Sequence, residues 1–568
     1  MISAHAIGSS GGAASYHDKS FTKDGISAGA DNYYANEQSS AVWKGKGAQV
    51  LGIQGQAVTK EDFVAALDGK LKNPETGLIE DLAKNSTGNR RPGFDFTVAP
   101  PKSVSIVALV GGDERVVAAH QLANERAMTW LEKHASVIRV RVDGGQPEAR
   151  QAGNLLYATV QHETNRNNEP QLHNHNVIVS AVYDSEGKRW RSLTNDQLLL
   201  LRSGADMVYK AELAKQLQAI GYKLEVAPNQ VDFEIAGMSR DHVEAFSQRS
   251  AEIKAALAAK GIDSENADFH QRQHATLDSR TAKTEHPREA LHGIWKDVAD
   301  RNGLDVDRLV TAARAADVGQ QRTGMSTREQ ARALEVVGWA VAHLSEREQA
   351  FPRTDIELQA LRFGNIAIDH VEWAMDAKIR QGQLVDRGVT DQGAQLYTTP
   401  KAIHIEQTIV AAVREGVGRG EVVMSSTVEF EAALTAFEAR KSEAVGKPFK
   451  LSDEQVIAAR NLLMHADMYQ GVQGDAGTGK TAMLEFVKEA SEAKGWTLMG
   501  MATTSAAAKT LEADSGISSQ TVAGFLHDRD NSIRLARMEL AELQAAIHKA
   551  VRAPEGGKSV ESVKLTVR

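Results

Sequence analysis

The stretch QHETNRNNEPQLHNHNV, residues 161–177, decides the fold. It joins two apolar runs of strand length, NLLYATVQH at 154–162 and LHNHNVIVSAVY at 172–183. The residues between them, 163–171, are polar and hold Asn, Arg and Pro, as a hairpin connection does. Residues two apart on a strand face the same side, so His173 and His175 project together. The neighbouring strand can then bring His162 beside them. Three neutral imidazoles with open coordination positions make a divalent-metal site of the catalytic kind. With 18 histidines in the chain, a His-x-His pair arises by chance in roughly half of such sequences, and a third His at one fixed offset lowers that to roughly 2%. The competing account is three histidines satisfied by hydrogen bonds in a polar cleft.

Outward from this pair, residues 94–98 (FDFTV) alternate as a strand and break at Pro100-Pro101. A second short apolar run, 103–110, is grouped with the strands. Asp95 lies inside the alternating run, where a carboxylate is costly unless paired, and a metal-ligating His or a tyrosine hydroxyl would be such a partner. Helical spacing covers 203–220, ending at Gly221, and 239–260, ending at Gly261. This mixture predicts an α+β domain with a largely antiparallel sheet.

The chain has 568 residues, room for roughly three to four domains. It is 42% hydrophobic and 25% charged, a globular rather than a disordered composition. Cysteine is absent, which excludes disulfides, thiolate zinc sites and cysteine nucleophiles. The net charge of −8 excludes a uniformly basic nucleic-acid binder but not a local basic groove. No apolar run approaches the roughly 18 residues of a membrane helix, and residues 1–15 lack the pattern of a signal peptide. The expectation is a protein of the bacterial cytoplasm with no membrane insertion.

Three of the nine tyrosines, Tyr16, Tyr33 and Tyr34, fall close together among Gly, Ser, Asp and Asn. A tyrosine hydroxyl attacks phosphorus once deprotonated, but a pKa near 10 makes it weak at neutral pH. A metal that polarises the phosphate and a carboxylate base overcome that. Half-buried structural tyrosines are the plainer account.

These residues converge on a family. The N-terminal half resembles the relaxase domain of MobF-type conjugative relaxases, the TrwC/TraI family. The resemblance rests on Ala13-Ala14-Ser15-Tyr16, Gly29-Ala30-Asp31-Asn32-Tyr33-Tyr34, Trp43-Lys44-Gly45-Lys46-Gly47-Ala48, FDFTVAPPKSVS from Phe94 and the stretch from Gln161, five motifs in order over roughly residues 1–300. It implies a histidine-hydrophobe-histidine (HUH) endonuclease. Here Asn174 is the middle residue, and a polar middle does not move the two imidazoles. By the same resemblance the nucleophiles are Tyr16 and Tyr33, and the base-like aspartate is Asp95. His17 stands where relatives often carry a second tyrosine.

Further along, residues 301–325 read as a connector and 326–445 as a helical, winged-helix-like module with a hairpin near 383–399. Residues 446–568 read as a partial α/β (RecA-like) lobe. Gly474-Asp475-Ala476-Gly477-Thr478-Gly479-Lys480-Thr481 fits G-x-x-x-x-G-K-[ST], after a strand-like segment at 468–472 and before a helical run. Backbone N–H groups of such a loop cradle phosphates, Lys480 reaches the β/γ-phosphates and Thr481 binds Mg²⁺. Leu451-Ser452-Asp453-Glu454-Gln455 resembles the adenine-reading glutamine motif of superfamily 1 helicases, and 501–508 resembles their next motif. No apolar run ending in Asp-Glu follows Lys480, so the Walker-B carboxylate is missing. The expected lobe is truncated, without ATPase activity of its own and with exposed apolar surface around 460–530.

The expected function is relaxase chemistry. Hairpin and single-stranded DNA at a plasmid transfer origin is bound, Mg²⁺ or Mn²⁺ sits on His162, His173 and His175, and Tyr16 attacks phosphorus. Asp95 orients the metal shell or takes the proton, and Tyr33 or Tyr34 serves the later rejoining. ATP and Mg²⁺ are expected at the P-loop, and accessory relaxosome proteins and a coupling ATPase as partners. A rolling-circle replication initiator and a non-catalytic origin-binding regulator are the alternatives.

Overall fold

A computed structural model describes residues 1–17, 41–84, 90–141, 145–263, 266–267, 271, 275, 288–317, 324–364, 366–475 and 478–551. The chain divides into two compact units, residues 1–403 and 404–568. Among the described residues no helix is long and apolar enough to cross a membrane.

The elements of the first unit that place the site are, in chain order, β1 (Ile2–Ala6), α1 (Ser10–Tyr16), β2 (Val42–Lys44), α2 (Lys60–Asp68), β3 (Gly93–Val98), α3 (Lys102–Leu109), α4 (Glu114–Ala135), β4 (Tyr157–Thr164), β5 (Pro170–Val179) and α5 (Arg202–Ala219). The five strands form one antiparallel sheet in the order β1-β3-β5-β4-β2. β5 is central, and all its residues but Gln171 are buried. Strand alternation splits its side chains between two cores. Leu172 and Ile178 join Phe94, Phe96 and Val98 of β3 against α3, α4 and α5. Val177 and Val179 join Ala158 and Val160 of β4 against Ala14 of α1 and Phe63 and Leu67 of α2. The expected α+β architecture with an antiparallel sheet is what the chain builds.

Two expected strands are absent. Residues 102–109 form helix α3, with Pro101 as its N-cap and every residue from Ser103 to Leu109 buried. A run apolar on all sides carries no period, so burial between the sheet and a neighbouring helix suits it equally well. Residues 468–472 are irregular, with Met468 and Tyr469 exposed.

The stretch expected as a connector contributes Val306, Val310 and Ala313 to the first core. The expected 326–445 module straddles the division between the units. Its first part runs helix Thr327–Leu344, strand Ala350–Pro352, helices Arg353–Gly364 and Ile368–Arg380, then strands Val385–Val389 and Gln395–Thr398, which make a three-stranded antiparallel sheet with the first strand. Ala333, Val336, Ile356, Leu361, Val371 and Met375 of these helices share the first core. A buried carboxylate, Glu357, ties them to α4. It accepts from Trp130 Nε1 at 2.7 Å and Arg353 Nε at 2.8 Å, and lies 3.0 Å from His134 Nε2. Helix Thr427–Val445 instead packs Phe430, Leu434 and Phe437 into the second unit, against Met483 and Phe486 of helix Lys480–Glu492. Among the described residues, the only sheet of that unit is the parallel pair Gly500–Ala502 and Ser519–Thr521.

Candidate functional site

The β4–β5 register sets His162 opposite His173 and Val160 opposite His175. All three imidazoles therefore project from the same face, the one that α1 and α2 cover. Their ring centroids stand 5.3 Å (His162–His173), 5.0 Å (His162–His175) and 5.1 Å (His173–His175) apart. One ring nitrogen from each lies within 4.8 Å of the others, a spacing a single ion can bridge. His173 and His175 are buried.

The surroundings fix which nitrogens would ligate. His173 Nδ1 lies 2.9 Å from the Gln171 carbonyl oxygen, and His175 Nδ1 lies 2.7 Å from Asp95 Oδ2. Carbonyl and carboxylate oxygens only accept, so each Nδ1 carries the proton and Nε2 is the ligating nitrogen. Metal-binding histidines are usually oriented in this way. The donor set therefore fits a divalent ion. Asp95 reaches His175 because β3 pairs with β5, placing Asp95 opposite Val177 and Thr97 opposite His175. Burial alone would raise the Asp95 carboxyl. The attraction of His175, its hydrogen bond and the nearby His17 and His5 outweigh burial and hold it below the usual carboxylate range. Among the described residues Asp95 Oδ1 is buried without a hydrogen-bond partner, an acceptor on the same face of the sheet.

Tyr16 is the last residue of α1. Tyr33 and Tyr34 lie outside the described residues. The sequence shows His17 only as the residue in the place of a second tyrosine and assigns it no role. It is buried, with its ring centroid 5.2 Å from that of His175 and 6.2 Å from that of His162. Burial, then the proximity of His175, lowers its pKa to about 4 against the pull of Asp95, so it is neutral near pH 7. Its adjacency to Tyr16 was the available signal.

At the second candidate site, Gly474 and Thr478 to Thr481 are described and Gly477 is not. Lys480 Nζ donates to the carbonyls of Gly474 (2.7 Å) and Asp475 (2.6 Å). Thr481 lies in the first turn of helix Lys480–Glu492. Gln455, held by a capping box with Ser452, donates Nε2 to the carbonyls of Thr478 (2.9 Å) and Gly479 (3.1 Å). Gly479 has φ +72, where a side chain is strained, and a Cβ there would stand 2.3 Å from Gln455 Nε2 and displace that amide. The glutamine motif and the phosphate loop are thus brought together.

The chain is 32% identical over 419 residues to the multifunctional conjugation protein TraI of Escherichia coli. The match takes in 71% of this chain but only 22% of that relative's length. A probable conjugal transfer protein TraA of Sinorhizobium fredii is 30% identical over 164 residues, 26% of this chain and 15% of the relative. Solved structures of the conjugative relaxase TrwC with its origin DNA are similar to 54% of this chain and all of theirs. The metal-bound complex is 32% identical with TM-score 0.46, and the complex with a 27-mer comprising the recognition hairpin and cleavage site is 33% identical with TM-score 0.46. An AAA domain model matches residues 450–551. The TrwC relaxase model matches residues 10–302, more than half of the chain and every element that builds the histidine cluster, and the chain belongs to the TrwC relaxase family.

Proposed function

We propose that this chain is a metal-dependent DNA strand transferase that starts plasmid conjugation, cutting one strand at a transfer origin through a tyrosine. The observation that carries the reading is the convergence of His162, His173 and His175, with Asp95 orienting His175. Mg²⁺ or Mn²⁺ held by the three imidazoles would polarise the scissile phosphate and offset its developing charge. The chain's own groups do the rest. Asp95 holds the His175 tautomer, and its Oδ1 is the acceptor for the Tyr16 phenol proton. Tyr16 Oη bonds to phosphorus, the P–O3′ bond breaks, and the 3′ oxygen takes up the proton that Asp95 accepted and leaves as a hydroxyl. The 5′ end stays on Tyr16 as a phosphodiester of similar energy, so no external energy is needed and the step reverses when a 3′-hydroxyl returns. Tyr33 or Tyr34 would serve that second transfer.

The substrate on this reading is a hairpin with its adjacent single strand, in the bacterial cytoplasm, with accessory relaxosome proteins and a coupling ATPase as partners. The helix and strand order over residues 327–398 supports a winged-helix-like module. The Gln455 and Lys480 contacts support ATP and Mg²⁺ as P-loop ligands. Incubation with labelled single-stranded oligonucleotides from the source plasmid in Mn²⁺ tests the reading. A covalent adduct that maps to Tyr16 is expected. Retained DNA binding without cleavage would overturn it in favour of a binding-only protein.

A further inference from the structure

We propose that His17 is a positioning residue that docks the end of α1, and with it Tyr16, onto the Asp95–His175 edge of the histidine cluster. The inference rests on the strand-transfer reading above and adds a residue to it. Helix α1 has seven residues, SGGAASY, and among residues 8–15 and 17 only Ala14 and His17 are buried. An alanine offers one methyl group to bury, so the imidazole is the larger of the two anchors. It packs edge-on against His175 (centroids 5.2 Å, planes at 68°) and against Phe63 of α2 (6.3 Å, 78°), and stands tilted 6.2 Å from His162. Edge-to-face ring pairs of this spacing have a preferred geometry, so they fix orientation as well as distance.

The position of His17 relative to the cluster matters. One of its ring nitrogens, a carboxylate oxygen of Asp95 and a ring nitrogen of His175 lie within 4.8 Å of one another. His17 thus adjoins the residue that orients a ligand. The backbone completes the link. The His17 N–H donates to the Ala13 carbonyl at 3.2 Å, closing the last turn of α1, and Tyr16 is bonded directly to it. The ring contact to His175 and the peptide bond to Tyr16 thus tie the end of α1 to the cluster.

The test uses the full chain with His17→Leu, which keeps the volume but not the planar ring, and His17→Phe, which restores the ring without its nitrogens. Melting temperature reports folding, Mn²⁺ titration reports the cluster, and oligonucleotide cleavage separates kcat from KM. For His17→Leu, Mn²⁺ affinity should fall about 10–100-fold, the range for groups that orient metal ligands. Its kcat should fall by a similar factor with KM nearly unchanged, and His17→Phe should recover most of both. Wild-type Mn²⁺ affinity and kcat in His17→Leu would overturn the proposal, and so would a His17→Phe variant no better than His17→Leu. If the wild-type chain forms no adduct, the strand-transfer reading fails, and the Mn²⁺ titrations still decide the role of His17.

Discussion

The two units hold their candidate sites in opposite ways. In residues 1–403 His173 and His175 sit on the central, buried strand of a five-stranded sheet and His162 on its hairpin partner, with helices on both faces and Asp95 one strand away. In residues 404–568 the described residues hold a single parallel strand pair, and the lysine of the glycine-rich loop is engaged by the loop's own carbonyls. Large apolar side chains of this unit are exposed: Met468 58%, Tyr469 52%, Met499 57% and Met501 45%. Ligands that must meet one ion within tenths of an ångström need a ladder that fixes register. A loop that cradles phosphate with backbone groups needs a sheet to hold its two ends, and the described residues supply little of one.

Several outcomes would sharpen or break this contrast. The largest effect belongs to Tyr16→Phe. Loss of one oxygen should abolish adduct and cleavage on a denaturing gel while the melting temperature holds. An adduct mapped to Tyr33 or Tyr34 would reassign the nucleophile. His173→Ala comes next and should remove cleavage and Mn²⁺ binding while leaving oligonucleotide affinity nearly intact, because phosphate contacts elsewhere carry affinity. Filter binding that falls as far as cleavage would show the cluster to be a DNA-binding rather than a metal site. Asp95→Asn keeps the shape of the side chain but accepts less strongly from His175. It should weaken Mn²⁺ binding and slow cleavage about 10–100-fold, and an unchanged rate would make Asp95 a bystander.

A smaller effect concerns pH. His120 on α4 is fully buried and lies 2.7 Å from the Tyr209 hydroxyl through Nδ1. Burial, chiefly, lowers its pKa from 6.5 to about 3. The unfolded chain therefore takes up this proton first. The stability His120 lends is whole above about pH 6.5 and is lost as pH falls from there toward 3, a cost of about 2 kcal/mol by pH 5. Calorimetry at pH 7 and pH 5 should show the first unit losing melting temperature, and His120→Gln should shrink the difference. The smallest expected signal is from the P-loop. Phosphate release with ATP and single-stranded DNA should stay at background. Turnover near one per second that disappears in Lys480→Ala would show that the lobe is a working motor.

The sequence exposed the first site well because strand period is rigid. His-x-His on one strand and His162 on its hairpin partner could converge only if both segments were strands, and they are. Asp95 was legible from its place in FDFTV. Helix α3 was not, since an all-apolar run has no face to read, and Pro100-Pro101 opens the helix instead of only ending a strand. The place of His17 in the site was not legible for a different reason. Its value depends on α1 folding down onto the sheet, a contact between residues nearly 160 apart in the chain. The strand expected at 468–472 failed because an apolar run becomes a strand only beside partners.

The carboxylate of Glu357 has a practical consequence. The sequence family ends at residue 302, yet the protein's interior does not. A recombinant fragment cut there would leave Trp130 and His134 without their shared acceptor and would uncover the surface that Val336, Ile356 and Val371 now seal. Such a fragment should be the stickier and less soluble preparation, and one ending near residue 403 the better behaved. The matched relaxase model and the compact folding unit end about a hundred residues apart in this molecule.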